Sequence, residues 1–199
     1  MATVREGNKA ALVVVDVQVG VMADAWDATR VVGNVALAVR RAREEGVPVV
    51  WVQHADEELP SGSAQWQWVP ELGPTDGEAR IHKRLNSPFE QTNLEAVLAE
   101  LGVSHLVLAG AATNWCIRAT AYAALERGYD TTLVSDGHTT GTMQLDGGVT
   151  IEAANIIQEL NIAMRWLAYP GRRNGTATAQ QVNFSLTGGI SGPELAAID

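Results

Sequence analysis

Short β-branched, apolar runs alternate along this chain with longer segments of helical periodicity. The first run, residues 10–16 (AALVVVD), is almost continuously apolar, which is typical of a strand buried on both faces. Strands are predicted at residues 10–16, 47–53, 79–82, 105–109, 130–135 and 163–168. Helices are predicted at residues 30–45, 92–101, 113–127 and 150–160, and a glycine follows each of the first three. This alternation predicts an α/β fold in which a mostly parallel, doubly wound six-stranded sheet lies between two helical layers.

The amino-acid composition limits the classes of protein to which this chain can belong. A chain of 199 residues, 46% of them hydrophobic and 19% charged, is the size of one domain with a substantial core. The net charge of -9 argues against nucleic acid as a partner, since nucleic acid is bound through Lys and Arg. The single cysteine excludes an intramolecular disulfide and points to a reducing compartment. The apolar run at residues 10–15 is too short for a signal peptide or a membrane span, so we expect a cytoplasmic protein that does not bind membranes.

Two stretches interrupt the alternation of strands and helices. Residues 55–78 hold three prolines and two tryptophans, and a stretch of this length without secondary structure is usually functional, here as a lid-like loop. Residues 170–199 form a C-terminal extension with too few apolar residues to pack as a core of its own. We therefore expect one domain over residues 1–199 that associates as a homodimer or homotetramer and acts on a small-molecule substrate.

Three reactive side chains follow predicted strands. Asp16 ends the first strand, Lys83 follows the third, and Cys116 lies in the first turn of the helix after the fourth. Parallel sheets bind ligands at the carboxyl ends of their strands, so we expect these side chains to meet there. If Thr113 caps the helix, Cys116 occupies its third position, where the helix dipole favours a thiolate and predicts a lowered pKa.

Each of these residues also has an ordinary structural interpretation. A lone cysteine at this position is as often a small buried apolar residue as a nucleophile, a strand-end aspartate can be a cap or an ion-pair partner, and most lysines are solvated. The combination says more, because a thiol needs a base that takes its proton and an amine leaving group needs a proton returned. A carboxylate beside a thiol and a lysine can do both.

Four segments resemble the motifs of the isochorismatase-like cysteine hydrolases, which include nicotinamidases and N-carbamoylsarcosine amidohydrolase-like enzymes. They are residues 12–18 (LVVVDVQ), 82–89 (HKRLNSPF), 110–117 (GAATNWCI) and 128–137 (GYDTTLVSDG), within a resemblance that spans about residues 9–170. The resemblance implies a catalytic triad of Asp16, Lys83 and Cys116. It also implies a cis peptide bond between Ala111 and Ala112, with the N–H groups of Ala112 and Cys116 directed at an oxyanion.

The resemblance also bears on metal binding. Zinc-dependent nicotinamidases carry an aspartate two residues before a histidine, and a further histidine downstream. In this chain the corresponding pair is Val52 and His54, and residues 55–78 contain no histidine. We therefore expect neither a metal site nor another cofactor.

Five further residues are predicted to line the substrate pocket: Gln18, His54, Trp68, Phe89 and Trp115. Gln18 lies two residues beyond Asp16, while Phe89 and Trp115 flank the predicted catalytic residues. His54 is equally well explained as a strand-end histidine with structural partners, and Trp68 as part of a hydrophobic lid or a dimer contact.

The predicted activity is hydrolysis of an amide or carbamoyl C–N bond through a thioester on Cys116. Two alternatives remain open. One is isochorismate-type vinyl-ether hydrolysis, with Asp16 as the acid and no covalent step, although the resemblance implies that ether-cleaving members lack the cysteine. The other is a non-catalytic binding subunit on the same fold, against which the intact Asp16, Lys83 and Cys116 argue.

Overall fold

Six parallel strands form the central sheet of the computed structural model, which describes residues 4–185. The strands in chain order are β1 (Lys9–Val15), β2 (Val49–His54), β3 (Ala79–Lys83), β4 (Val103–Ala111), β5 (Asp130–Thr139), β6 (Met143–Leu145), β7 (Val149–Ile151) and β8 (Asn174–Ala177). The sheet order is β3-β2-β1-β4-β5-β8 with every neighbouring pair parallel, while β6 and β7 form a separate antiparallel hairpin.

Helices cover both faces of this sheet. They are α1 (Val19–Met22), α2 (Ala28–Glu44), α3 (Leu94–Glu100), α4 (Arg118–Glu126) and α5 (Ala153–Trp166), and a π-helical turn (Thr113–Ile117) directly precedes α4. Buried valines and alanines of α2 pack on one face, and α3, α4 and α5 pack on the other. No helix in residues 4–185 is long and apolar enough to cross a membrane. The three-layer α/β/α architecture predicted from the sequence is confirmed.

The strand order reverses between β1 and β4. Asp16 follows β1 and Ala112 follows β4, so both lie at the reversal point where doubly wound sheets bind ligands. Gly110 pairs with Val15 across these strands and has a φ of +125°. A Cβ on Gly110 would lie 1.9 Å from the Val15 carbonyl oxygen, so only glycine allows the two strand ends to approach this closely.

The sixth strand does not lie where the sequence predicted it. Residues 163–168 lie mostly in α5, where Ile157, Leu160 and Met164 are buried at helical spacing. A short apolar run does not by itself distinguish a strand from a helix, and here the longer periodicity decides. The sixth strand is β8, whose small and polar side chains carry no hydrophobic signal. The predicted C-terminal extension therefore contributes to the sheet, while its residues 186–199 lie outside the described residues.

The predicted lid-like loop, residues 55–78, contains no helix or strand. It nevertheless packs against the protein, because Leu59, Val69 and Leu72 are buried. The backbone N–H groups of Val19 and Gly20 also donate hydrogen bonds to carbonyl oxygens of this loop. The loop is therefore attached to the segment that follows Asp16.

Candidate active site

Asp16, Lys83 and Cys116 meet at the carboxyl edge of the sheet. Nζ of Lys83 lies 2.7 Å from Oδ2 of Asp16 and donates a hydrogen bond to Sγ of Cys116 over 3.1 Å. Asp16 directly follows β1, Lys83 is the last residue of β3, and Cys116 lies in the π-helical turn after β4. The structure thus brings together the three side chains that the sequence analysis singled out.

The pair of Asp16 and Lys83 is almost completely buried, with exposed fractions of 1% and 2%. Burial raises the pKa of the Asp16 carboxyl above its ordinary value, although the neighbouring ammonium opposes this effect. A hydrogen bond with the Cys116 side chain also opposes the rise in the Asp16 pKa and raises that of the thiol. The carboxylate is therefore close enough to the thiol to accept its proton.

Cys116 does not occupy the helix position predicted for it. Ala112, not Thr113, precedes the first helical residue, and Cys116 is the fourth residue of a π-helical turn. Burial and the Asp16 carboxylate raise the pKa of the Cys116 thiol to about 12, although Lys83 opposes both effects. The expected lowered pKa is wrong for the free protein, because the sequence does not show that the thiol is buried beside a carboxylate.

The predicted oxyanion donors lie between β4 and the π-helical turn, at Ala112, and within that turn, at Cys116. The Ala111–Ala112 peptide bond is cis. The carbonyl oxygen of Ala112 accepts hydrogen bonds from the N–H groups of Trp115 and Ile117, which closes the turn around Cys116. The N–H groups of Ala112 and Cys116 remain the predicted donors to an oxyanion.

A buried polar chain supports the same turn. Nδ1 of His138 lies 2.9 Å from Oγ1 of Thr113, and Nε2 of His138 lies 3.2 Å from Oδ1 of Asn161. Nδ2 of Asn161 in turn donates to the carbonyl oxygen of Ser135. Burial lowers the pKa of His138 to about 4, so the ring is neutral at physiological pH.

His54, predicted to line the pocket, contacts the triad. It ends β2, pairs in register with Lys83, and places Nδ1 3.3 Å from Nζ of that lysine. Its Nε2 lies 2.8 Å from Oδ2 of Asp56. A cavity of about 490 Å³ opens beside His54, with Val21 and Leu59 among its lining residues. Within residues 4–185, no group of three or more His, Cys, Asp or Glu side chains is arranged to hold a metal ion.

Gln18 and Trp68, both predicted to line the pocket, make structural contacts with the loop of residues 55–78 and with β2. The Gln18 side chain is buried, donates to the carbonyl oxygens of His54 and Trp66, and accepts from the N–H of His54. Trp68 packs edge-on against Trp51 with ring centroids 5.2 Å apart, and joins the core on the α2 face. The pocket position of each stays a prediction, and the contacts with the loop of residues 55–78 are ones that a sequence pattern does not display.

Phe89 and Trp115 differ in exposure. Phe89 is buried in the same core cluster as Cys116, with its ring centroid 5.8 Å from that of Tyr129. Trp115 is 53% exposed, next to Cys116 in the chain. Asn86, which the sequence analysis missed, is exposed and has Oδ1 3.9 Å from Sγ of Cys116. The sequence feature that could have identified Asn86 is its position three residues after Lys83.

Comparisons with known proteins agree with this fold. A family model described as the isochorismatase domain matches residues 10–155. The isochorismatase family protein YrdC of Bacillus subtilis is 30% identical over 159 residues, which cover 75% of this chain and 83% of that protein. An isochorismatase structure from Pseudomonas putida aligns with a TM-score of 0.77 and 28% identity, over 86% of this chain and 89% of that one. N-carbamoylsarcosine amidase from Thermoplasma acidophilum shares the fold, with a TM-score of 0.67 and 24% identity over 87% and 98% of the two chains. The chain therefore belongs to the isochorismatase family of hydrolases.

Proposed function

We propose that this protein is a cysteine hydrolase that cleaves an amide or carbamoyl C–N bond of a small molecule through a thioester on Cys116. The observation that carries the proposal is the position of Lys83 Nζ, within contact of both the Asp16 carboxylate and Cys116 Sγ in a buried site. Two structural neighbours have names of this kind, the N-carbamoylsarcosine amidase and a cysteine hydrolase from Pseudomonas syringae. Both names support the proposed type of reaction, but they do not identify the substrate of this protein.

The first half-reaction begins with transfer of the Cys116 thiol proton to Asp16. The net charge of the site does not change, because a carboxylate beside the Lys83 ammonium is exchanged for a thiolate beside the same ammonium. The raised pKa values of Asp16 and Cys116 suit this transfer, since the thiol keeps its proton until a substrate arrives and the carboxyl can then hold it. Sγ attacks the carbonyl carbon, and the N–H groups of Ala112 and Cys116 bind the oxyanion.

The first half-reaction ends when the C–N bond breaks and Asp16 returns its proton to the leaving amine, which leaves a thioester on Cys116. The second half-reaction restores the enzyme. Asp16 takes a proton from water while the water oxygen attacks the thioester carbonyl. The C–S bond breaks, the proton returns to Sγ, and the products are the amine and an acid. Lys83 balances the negative charge wherever it resides, on Asp16 or on Cys116.

Intact-protein mass spectrometry tests this proposal. The protein is mixed with a panel of small primary amides, carbamoyl compounds and lactams, and ammonia or amine release is measured in parallel. We expect an acyl adduct on the wild-type protein with the substrate that is turned over, and none on Cys116→Ala. Because Cys116 is the only cysteine, the adduct needs no further assignment beyond this control.

The alternatives give different results in the same assay. Turnover of an isochorismate-type vinyl ether without an adduct, retained in Cys116→Ala, would replace the covalent mechanism by acid catalysis from Asp16. Tight binding of a panel member with neither turnover nor adduct would indicate a binding subunit.

A further inference from the structure

The Lys83 ammonium has three hydrogens and three acceptors around it. Besides Oδ2 of Asp16 at 2.7 Å and Sγ of Cys116 at 3.1 Å, Nδ1 of His54 lies 3.3 Å from Nζ. The lysine side chain is fully buried, so these protein atoms take the place of water. Removal of one acceptor would leave a buried N–H without a partner and allow the ammonium to rotate.

The tautomer of His54 follows from these contacts. An ammonium can only donate, so Nδ1 of His54 must carry a lone pair, and the ring hydrogen is on Nε2. Nε2 lies 2.8 Å from Oδ2 of Asp56, which accepts that hydrogen. The other oxygen of Asp56, Oδ1, accepts the N–H groups of Glu58 at 2.9 Å and Leu59 at 2.7 Å. Asp56 is thus held by the backbone in the orientation that selects this tautomer.

We propose that His54, oriented by Asp56, is a positioning residue that holds the Lys83 ammonium in line with both Asp16 and Cys116. The proposal rests on the proposed function in giving Lys83 the task of stabilising the Cys116 thiolate. It adds that Asp56, at the start of the loop of residues 55–78, is connected to Cys116 through His54 and then Lys83.

The test uses three substitutions of His54 that differ only in where they place an acceptor. In His54→Asn the side-chain oxygen lies at the distance of Nδ1, so the contact with Lys83 is retained. In His54→Gln the amide reaches the position of Nε2 and serves Asp56 instead, and His54→Leu serves neither. His82→Leu is the matched control, because His82 is an exposed histidine of the neighbouring strand that stacks on Trp66.

The rate of iodoacetamide alkylation of Cys116 at fixed pH is the main measurement, because it needs no substrate. We expect His54→Gln and His54→Leu to be alkylated about tenfold more slowly than wild type, the factor that one unit of thiol pKa represents. His54→Asn and His82→Leu should stay within about threefold of wild type. A purely structural role of the ring would instead slow Asn, Gln and Leu variants alike, and that result would overturn the proposal.

Asp56→Asn provides a second arm that leaves His54 in place. The Asn oxygen keeps the N–H groups of Glu58 and Leu59, so its NH₂ group faces Nε2 of His54 and forces the hydrogen onto Nδ1. We expect alkylation to slow about as much as in His54→Leu, and no further loss when Asp56→Asn is added to His54→Asn. Equal additional losses in both backgrounds would contradict the tautomer argument.

Rescue by His54→Asn is the readout that a merely structural role of the ring would not give, because asparagine restores the acceptor for Lys83 but not the imidazole. If the alkylation order holds but no amide gives a thioester, the positioning role stands and the proposed function fails.

Discussion

Nζ of Lys83 lies 2.7 Å from Oδ2 of Asp16, and each side chain is almost fully buried. A buried ion pair of this kind is costly to assemble, and loss of one partner leaves an uncompensated charge. Nζ of Lys83 also contacts the Cys116 thiol, so both charges of the pair act on the ionisation of the nucleophile.

We expect Asp16→Asn to make Cys116 more acidic while abolishing turnover. The carboxylate raises the pKa of the thiol, and in the variant a neutral amide no longer repels the thiolate while the Lys83 ammonium still stabilises it. Alkylation by iodoacetamide at neutral pH should accelerate about tenfold, and Lys83→Met should slow it by a similar factor. An Asp16→Asn protein that is alkylated more slowly than wild type would mean that the carboxylate activates the thiol in the resting enzyme.

The triad substitutions should reach a common floor of activity. Cys116→Ser lacks an ionisable nucleophile, Asp16→Asn lacks the proton carrier, and Lys83→Ala lacks the balancing charge. We expect each to lower kcat by a factor on the order of 10⁴, and the double variant Asp16→Asn with Cys116→Ser to be little worse than either. Turnover of an amide identified by the mass-spectrometric panel measures this. Multiplicative losses in the double variant would show that the two residues act independently.

Stability should fall as the pH drops from 6.5 to 4. Burial lowers the pKa of both His105 and His138 to about 4, so the unfolded chain binds protons in this window and the folded protein does not. The contribution of these neutral histidines to the free energy of unfolding is fully present above the ordinary histidine pKa. As the pH falls through the window, each histidine lowers that free energy by at most roughly 3 kcal/mol. Urea unfolding at several pH values measures the slope, which His105→Gln and His138→Gln should each reduce. His82→Gln, at an exposed site, is the control in which the slope should persist.

We also expect the protein to be a homodimer or homotetramer. Trp115, Val149 and Trp166 are each more than half exposed, and they lie on the π-helical turn, the β6–β7 hairpin and α5. Exposed apolar side chains of this size favour association. Light scattering at micromolar concentration should give a multiple of the 21.2 kDa chain mass, and Trp166→Glu should lower it. A monomeric wild type would refute the expectation.

Much of the fold could be predicted from local patterns. The alternation of apolar runs with helices ending in glycine predicted the layers and the parallel sheet. Hydrophobic periodicity and helix-ending glycines are properties of residues close together in the chain. The same patterns failed at the last strand. Residues 163–168 are apolar enough for a strand, yet Leu160 and Met164 continue the buried face of α5. β8 carries no hydrophobic signal and pairs with β5 only because the sheet leaves that edge open.

The sequence by itself determined which residues could meet at the site, since Asp16, Lys83 and Cys116 each lie at or after the carboxyl end of a strand, and these ends share one edge of the sheet. Only the tertiary structure decided what surrounds them. Burial beside a carboxylate raises the pKa of Cys116 where the helix position predicted a lowered one. The contact of His54 with Lys83 likewise depends on the register of β2 and β3. Desolvation and contacts between distant segments are set by how the whole chain packs, and neighbouring residues do not encode them.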